Sequence, residues 1–145
     1  MNRRWLAAGL LVAAAVLFGI GTSYEAAERS EHTPAGSVHE ERIVGIDAAS
    51  PALIGAGIAL SLLAAAAIVA FPRRPVLYGV AGFAATFAVL DLAEAVHGLR
   101  ENEPAIGVLA LVIAALHASA AAITYRLLDH QPSNDTTTTP GNLST

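Results

Sequence analysis

Residues 104–125, PAIGVLALVIAALHASAAAITY, carry no Asp, Glu, Lys or Arg, and this stretch decides the fold class. About 20 consecutive apolar residues in a helix cross the ~30 Å hydrocarbon core of a bilayer. Three further long apolar blocks cover residues 5–23, 51–71 and 75–96. Because lipid offers no hydrogen-bond partner to free N–H and C=O groups, we expect each block to be an α-helix.

The composition agrees with a chain that is solvated by lipid. Of the 145 residues, 54% are hydrophobic and 14% are charged, whereas a soluble domain carries about 25% charged residues. The chain has no Cys, which excludes disulfides, thiolate catalysis and Cys-ligated metals. A net charge of −4 argues against nucleic acid as a partner, because phosphate binding needs clustered Lys and Arg.

The blocks predict an all-α, integral membrane four-helix bundle over residues 1–130. The links around 72–74 and 98–103 are short, so each joins two spans as a tight antiparallel hairpin. Residues 24–50 are expected to form an external loop, in which Glu25 to Arg29 could extend the first span as one or two helical turns that end before Pro34 and Gly36. Residues 131–145 are rich in Thr, Pro and Asn, and we expect a disordered cytoplasmic tail.

The arginines predict the orientation. In a four-span chain, five of them fall on one side of the membrane, namely Arg3, Arg4, Arg73, Arg74 and Arg126. The positive-inside rule then places both termini in the cytoplasm of a multi-pass cell-membrane protein. An alternative is that the first block is a signal peptide cleaved near residues 21–23. That alternative leaves three spans and an external N-terminus.

Small residues at steps of four suggest where the helices approach closely, because small side chains let backbones come together in lipid. The second span has Gly57, Ser61 and Ala65, the third has Ala81 and Ala85 beside Gly82, and the fourth has Ala110, Ala114, Ala118 and Ala122.

Three polar side chains lie near the outer end of the third span: Asp91, Glu94 and His97. At 100° per residue they share an arc of about 120°. One interpretation ends the span near Leu90, so that the carboxylates lie among the headgroups. A second turns the carboxylates into the bundle, bonded to Thr22, Ser23, Ser50 or Arg100. A third is a site for a proton or a divalent metal, since an ionised carboxylate in hydrocarbon costs roughly 2.5–3.5 kcal/mol.

The metal interpretation draws on the spacing Glu94-x-x-His97, which occurs in carboxylate-bridged dinuclear bundles. Such bundles need a second copy of the motif and two more Glu, which the spans lack. A mononuclear site of Asp91, Glu94 and His97 could recruit His32 and His39 from the external loop. The competing interpretation of those two histidines is that they are solvated.

His117 lies inside the fourth span. If His117 is counted inward from Pro104, and Asp91 outward from the opposite face of a ~30 Å core, the two differ in depth by roughly 14 Å. On that count they cannot meet. We expect a neutral imidazole bonded to a backbone carbonyl, Ser61 or Thr86, with a proton relay as the alternative.

No catalytic constellation or cofactor motif accompanies these residues, so an enzyme is not predicted. The expected function is a non-catalytic accessory, assembly or self-associating membrane subunit, with the lipid bilayer, other membrane proteins or a second copy as partners. The alternative is a small cation-handling or transport protein that uses the Asp91, Glu94 and His97 cluster.

Overall fold

Helices make up most of the described chain. The computed structural model describes the backbone of residues 2–32, 42–43, 46–47 and 51–129, and the side chains of residues 2–23, 52 and 54–129. The helices are α1 (Arg3–His32), α2 (Pro51–Ala70), α3 (Arg74–Arg100) and α4 (Pro104–Asp129). Between α1 and α2, the two-residue strands β1 (Arg42–Ile43) and β2 (Ile46–Asp47) pair antiparallel.

Three of the helices contain stretches long and apolar enough to cross a membrane, which confirms that part of the prediction. These stretches are Arg3–Ser23, Arg74–Arg100 and Pro104–Asp129, and the apolar stretch Ile54–Ala70 of α2 is shorter.

The helix boundaries differ from the predicted ones. The helix α1 continues to His32, three residues beyond the extension predicted to Arg29, because residues 24–33 contain no Pro or Gly. The helix α3 continues past residue 96 to Arg100. The predicted tail, 131–145, lies outside the described residues.

The helices pack in the order α2–α1–α4–α3. The α3–α4 contact is the most extensive, α1 contacts both α4 and α2, and α2 touches α3 only slightly. The short α2–α3 link therefore does not give the packed hairpin that its length predicted. The apolar side chains of α2 surround that helix almost evenly, so its sequence does not select one face for packing.

The α3–α4 seam follows a seven-residue spacing rather than steps of four. On α3 the spacing runs through Leu77, Ala84, Asp91 and Gly98, and on α4 through Ala110, His117 and Thr124, with Asp91 as the one member that is not fully buried. A seven-residue repeat keeps a seam facing its partner, whereas steps of four drift by about 40° each.

This drift corrects two predicted stripes of small residues. On α4, Ala110 and Ala114 are buried, but Ala118 and Ala122 have turned outward. On α3 the buried alanine is Ala84 rather than Ala85.

The turn between α3 and α4 is closed by backbone hydrogen bonds. The Glu101 N–H donates to the His97 carbonyl (3.1 Å), and the Glu103 N–H donates to the Gly98 carbonyl (2.9 Å). Asn102 between them has φ of 62°, in the left-handed region that Asn tolerates better than most residues. The six-residue bond with a left-handed residue inside it is a Schellman end, which stops α3 and reverses the chain.

Two glycines hold the first turn of α4 against the last turns of α3. A Cβ added to Gly98 would lie 3.0 Å from the backbone nitrogen of Gly107, and one added to Gly107 would lie 3.1 Å from the Ala95 carbonyl oxygen. Only hydrogen at both positions allows this approach of the two backbones. The pair therefore sets the register between α3 and α4.

We predict that Gly98→Ala lowers the free energy of unfolding by about 1–3 kcal/mol, because the new methyl group must push against backbone rather than a flexible side chain. The measurement is denaturant unfolding of the purified protein in detergent micelles, followed by circular dichroism. The matched control is Gly82→Ala on the same helix, where an added Cβ meets nothing within 4 Å. This control should be neutral or stabilising by up to about 1 kcal/mol. Equal effects of the two substitutions would contradict the close approach.

Candidate functional site: the Asp91–His117 pair

A carboxylate and an imidazole meet inside the bundle. Asp91 Oδ2 on α3 lies 2.6 Å from His117 Nδ1 on α4. The side chains are 12% and 4% exposed. With Asp91 ionised, the carboxylate only accepts hydrogen bonds, so Nδ1 carries the hydrogen and donates it to Asp91. A bond this short is typical of a charge-assisted pair.

The predicted depth difference of roughly 14 Å between Asp91 and His117 is wrong, because it counted the two helices from opposite faces of an assumed hydrocarbon core. Both depths should be counted from the shared turn. Asp91 then lies about 14 Å from the end of α3, and His117 about 20 Å from the start of α4, at 1.5 Å per residue.

The directions of the two side chains account for the remaining difference in depth of about 6 Å. Side chains lean toward the N-terminus of their own helix. On α3 that direction points away from the turn, and on α4 it points toward the turn. Asp91 and His117 therefore lean toward each other.

Aromatic rings flank the imidazole. The ring centroids of Phe87 and His117 are 5.6 Å apart, and those of Phe83 and His117 are 6.5 Å apart with the rings edge to face. Phe83 and Phe87 also pack on each other at 4.5 Å. This apolar shell lowers the local dielectric, which strengthens the Asp91–His117 bond and raises the penalty for any polar atom left without a partner.

A small cavity adjoins the pair, and all four helices line it. Its walls are Ala14, Ala15 and Phe18 of α1, Gly57, Ile58 and Ser61 of α2, Phe87 and Asp91 of α3, and His117 of α4. The volume available to the centre of a water molecule is about 10 Å³, which is at the lower limit for holding one water. The lining is almost entirely apolar, and the residues in it that carry polar side chains are Ser61, Asp91 and His117.

The second ring nitrogen of His117 has no protein partner. Among the described side chains, Nε2 of His117 is the buried nitrogen or oxygen for which no hydrogen bond is found. A buried polar atom without a partner costs about 1–3 kcal/mol, and native proteins avoid this by supplying a group or a water. With the hydrogen on Nδ1, Nε2 presents a lone pair that can accept a hydrogen bond or a proton.

The other predicted ligands do not converge with Asp91. Glu94 is exposed, and His97 Nε2 lies 3.3 Å from Glu101 with both side chains about half exposed (50% and 48%). Ala95 and Gly98 continue the buried face of α3 instead. Among the described side chains, no group of three His, Asp or Glu could hold a metal. His39 and the side chain of His32 lie outside the described residues.

The hydroxyls predicted as partners make local bonds instead. Thr22 donates to the Phe18 and Gly19 carbonyls, Ser23 donates to the Gly19 carbonyl, and Thr86 donates to the Gly82 carbonyl. Each lies within its own helix, where a short side chain reaches the carbonyl of the preceding turn. Ser50 lies outside the described residues. Asp91 and His117 are therefore each other's partner, a pairing that the expected partner sets missed.

We predict that Asp91→Leu and His117→Leu each lower the free energy of unfolding by about 3–5 kcal/mol, because each leaves the other group buried without its partner. The double substitution should cost clearly less than the sum of the two, since it removes both polar groups. Denaturant unfolding in detergent micelles measures all three. The matched control is His97→Gln, in an exposed pair, with an expected change of about 0.5 kcal/mol or less. If the double substitution costs as much as the sum of the two single substitutions, the pairing is contradicted.

The site thus consists of a carboxylate in contact with an imidazole, an imidazole nitrogen that has no partner among the described residues, and a cavity of about one water that the same ring lines. A carboxylate that fixes one imidazole nitrogen leaves the other as a base or a ligand. In comparisons with known proteins, no family model, curated protein or solved structure matches the chain.

Proposed function

We propose that the chain is a multi-pass integral membrane protein with both termini in the cytoplasm. The observation that carries this proposal is the apolar outer surface of the bundle. Large side chains such as Val16 (54%), Leu63 (65%), Val89 (68%) and Val108 (55%) are exposed on all four helices. Water does not solvate such a surface favourably, whereas lipid tails do.

The ends of the helices support the proposed orientation. One apolar cluster joins Ala7 of α1, Ile68 of α2, Leu77 of α3 and Leu128 of α4. The start of α1, the α2–α3 turn and the end of α4 therefore lie at the same end of the bundle. The five arginines that the positive-inside rule uses belong to these segments. The acidic turn between α3 and α4 lies at the other end.

Labelling of single cysteines tests this orientation, and the chain has no native Cys to interfere. Glu103→Cys should react with a membrane-impermeant maleimide in intact cells, because its turn faces outward. Arg73→Cys and Asp129→Cys should react only after the membrane is permeabilised. An Asn2→Cys variant that behaves like these two supports retention of the first helix. The reverse pattern, or Arg73→Cys and Asp129→Cys reacting from different sides, would contradict the proposed topology.

Within the membrane, we infer a non-catalytic role as an accessory, assembly or self-associating subunit. Support comes from how little of each span is covered by the bundle itself. In the most apolar stretches of α1, α3 and α4, the bundle buries 28%, 17% and 33% of the residues, respectively. The helix α3 therefore offers the largest uncovered surface among these three, available to lipid or to another membrane protein.

The alternative, cation handling by Asp91, Glu94 and His97 together, has less support from the geometry. Asp91 faces the interior and Glu94 faces outward. His97 pairs with Glu101 instead.

Native mass spectrometry after mild solubilisation tests the subunit role. We expect species heavier than one 14.8 kDa chain, either multiples of that mass or a complex with a second polypeptide. A strong detergent serves as the control, since it should reduce the assembly to the single chain. Single chains alone, recovered in every mild detergent and in lipid nanodiscs, would contradict a subunit role.

A further inference from the structure

We propose that the Asp91–His117 pair is a proton-binding site inside the bundle, and that His117 Nε2 is the atom that takes up the proton. Two independent observations meet at this atom. With Asp91 ionised, the 2.6 Å contact between Nδ1 and Asp91 Oδ2 places the ring hydrogen on Nδ1. Nε2 is buried and has no hydrogen-bond partner in the part of the chain that the structure describes, and the ring lines a cavity bounded by all four helices.

The charges around the pair favour the uptake of one proton. With Asp91 ionised and His117 neutral, the pair carries a single negative charge. The residues that face it are Ala14, Ala15 and Phe18 from α1, Gly57, Ile58 and Ser61 from α2, and Phe83 and Phe87 from α3. None of these described neighbours carries a compensating positive charge. A proton on Nε2 turns the pair into an imidazolium–carboxylate pair without net charge, which an apolar surrounding tolerates better than a lone anion.

The cavity supplies what the protonated ring then needs. Once Nε2 carries a hydrogen, it is a donor and requires an acceptor. The cavity that the ring lines has space for about one water. A hydronium ion that reaches this space transfers its proton to Nε2 and leaves a water there. That water can accept the Nε2–H bond and donate to the Ser61 hydroxyl. No bond other than this O–H to N–H exchange changes.

The test is ¹⁵N nuclear magnetic resonance of histidine-labelled protein in lipid nanodiscs across a pH series. The nitrogen shifts distinguish the Nδ1–H form, the Nε2–H form and the imidazolium. The chain has five His, and His117 is assigned as the signal that disappears in His117→Gln. We expect the Nδ1–H form at high pH and one transition to imidazolium on acidification.

Three variants sharpen this test. In Asp91→Asn, which keeps the shape but removes the charge, the proton affinity of His117 should fall about tenfold or more. In Gly57→Ala, the added Cβ lies at ordinary contact distances from Phe18 (3.7 Å) and Phe87 (3.9 Å), so it narrows the cavity without strain. The proton affinity should fall there too. His97→Gln, which alters the exposed pair, should leave the His117 transition unchanged.

Several outcomes would overturn the proposal. An Nε2–H form at high pH would mean that the lone pair does not face the cavity. A His117 that stays neutral throughout the pH range in which the helices persist would mean that no proton binds. Both readings are made on the unsubstituted chain, and His117→Gln serves only to assign the signal. If the proton affinity of His117 is the same in Gly57→Ala as in the unsubstituted chain, the cavity water does not contribute to proton binding.

Discussion

The close approach of Gly98 and Gly107 is the constraint on which the rest of the bundle depends. With a hydrogen in place of each side chain, the last turns of α3 and the first turn of α4 come within van der Waals distance of backbone. The Schellman end at Asn102 reverses the chain within residues 101–103. Together they fix how α3 and α4 are aligned along their length. Every pairing further along the seam, including the one between Asp91 and His117, follows from that register.

Stability alone does not account for the Asp91–His117 pair, because an apolar seam can serve it as well. Bringing a carboxylate and an imidazole out of water has a large desolvation cost, and well-packed apolar side chains often serve stability as well or better. The pair lies on the seven-residue spacing that otherwise holds Leu77, Ala84 and Gly98. An apolar side chain at these positions would meet the packing requirement. The polar pair is therefore better explained by what it can bind than by the stability it adds.

The cavity beside the pair differs from a sealed core because two of the helices that line it barely contact each other. The helices α2 and α3 touch only slightly, and the cavity wall includes residues from both. Small movements of α2 relative to α3 would change the space beside His117 without disturbing the more extensive α3–α4 seam. The site thus combines a pair on two extensively packed helices with a wall supplied in part by α2, which packs on α1 rather than on α3.

Parts of the site are readable from the sequence. Asp91 and His117 are charged or polar residues within long apolar blocks, and such residues are candidates for a functional site. The seven-residue spacing from Leu77 through Asp91 to Gly98 places Asp91 on the buried face of α3, and it separates Asp91 from Glu94 and His97. A count from the shared turn would have brought Asp91 and His117 to similar depths. The fixed-thickness count failed because α3, at 27 residues, is longer than the ~20 residues that a ~30 Å core needs.

The sequence by itself determined that the chain is helical and apolar, since long uncharged blocks leave the backbone no other way to satisfy its hydrogen bonds in lipid. It also determined where the chain reverses direction between α3 and α4. Only the tertiary structure decided which helices pack together, because an evenly apolar helix such as α2 carries no preferred face. Only the tertiary structure decided that Asp91 meets His117 and that no other described residue contacts Nε2 by a hydrogen bond. That outcome depends on a register set by backbone contact at two glycines, and apolar periodicity alone does not encode it.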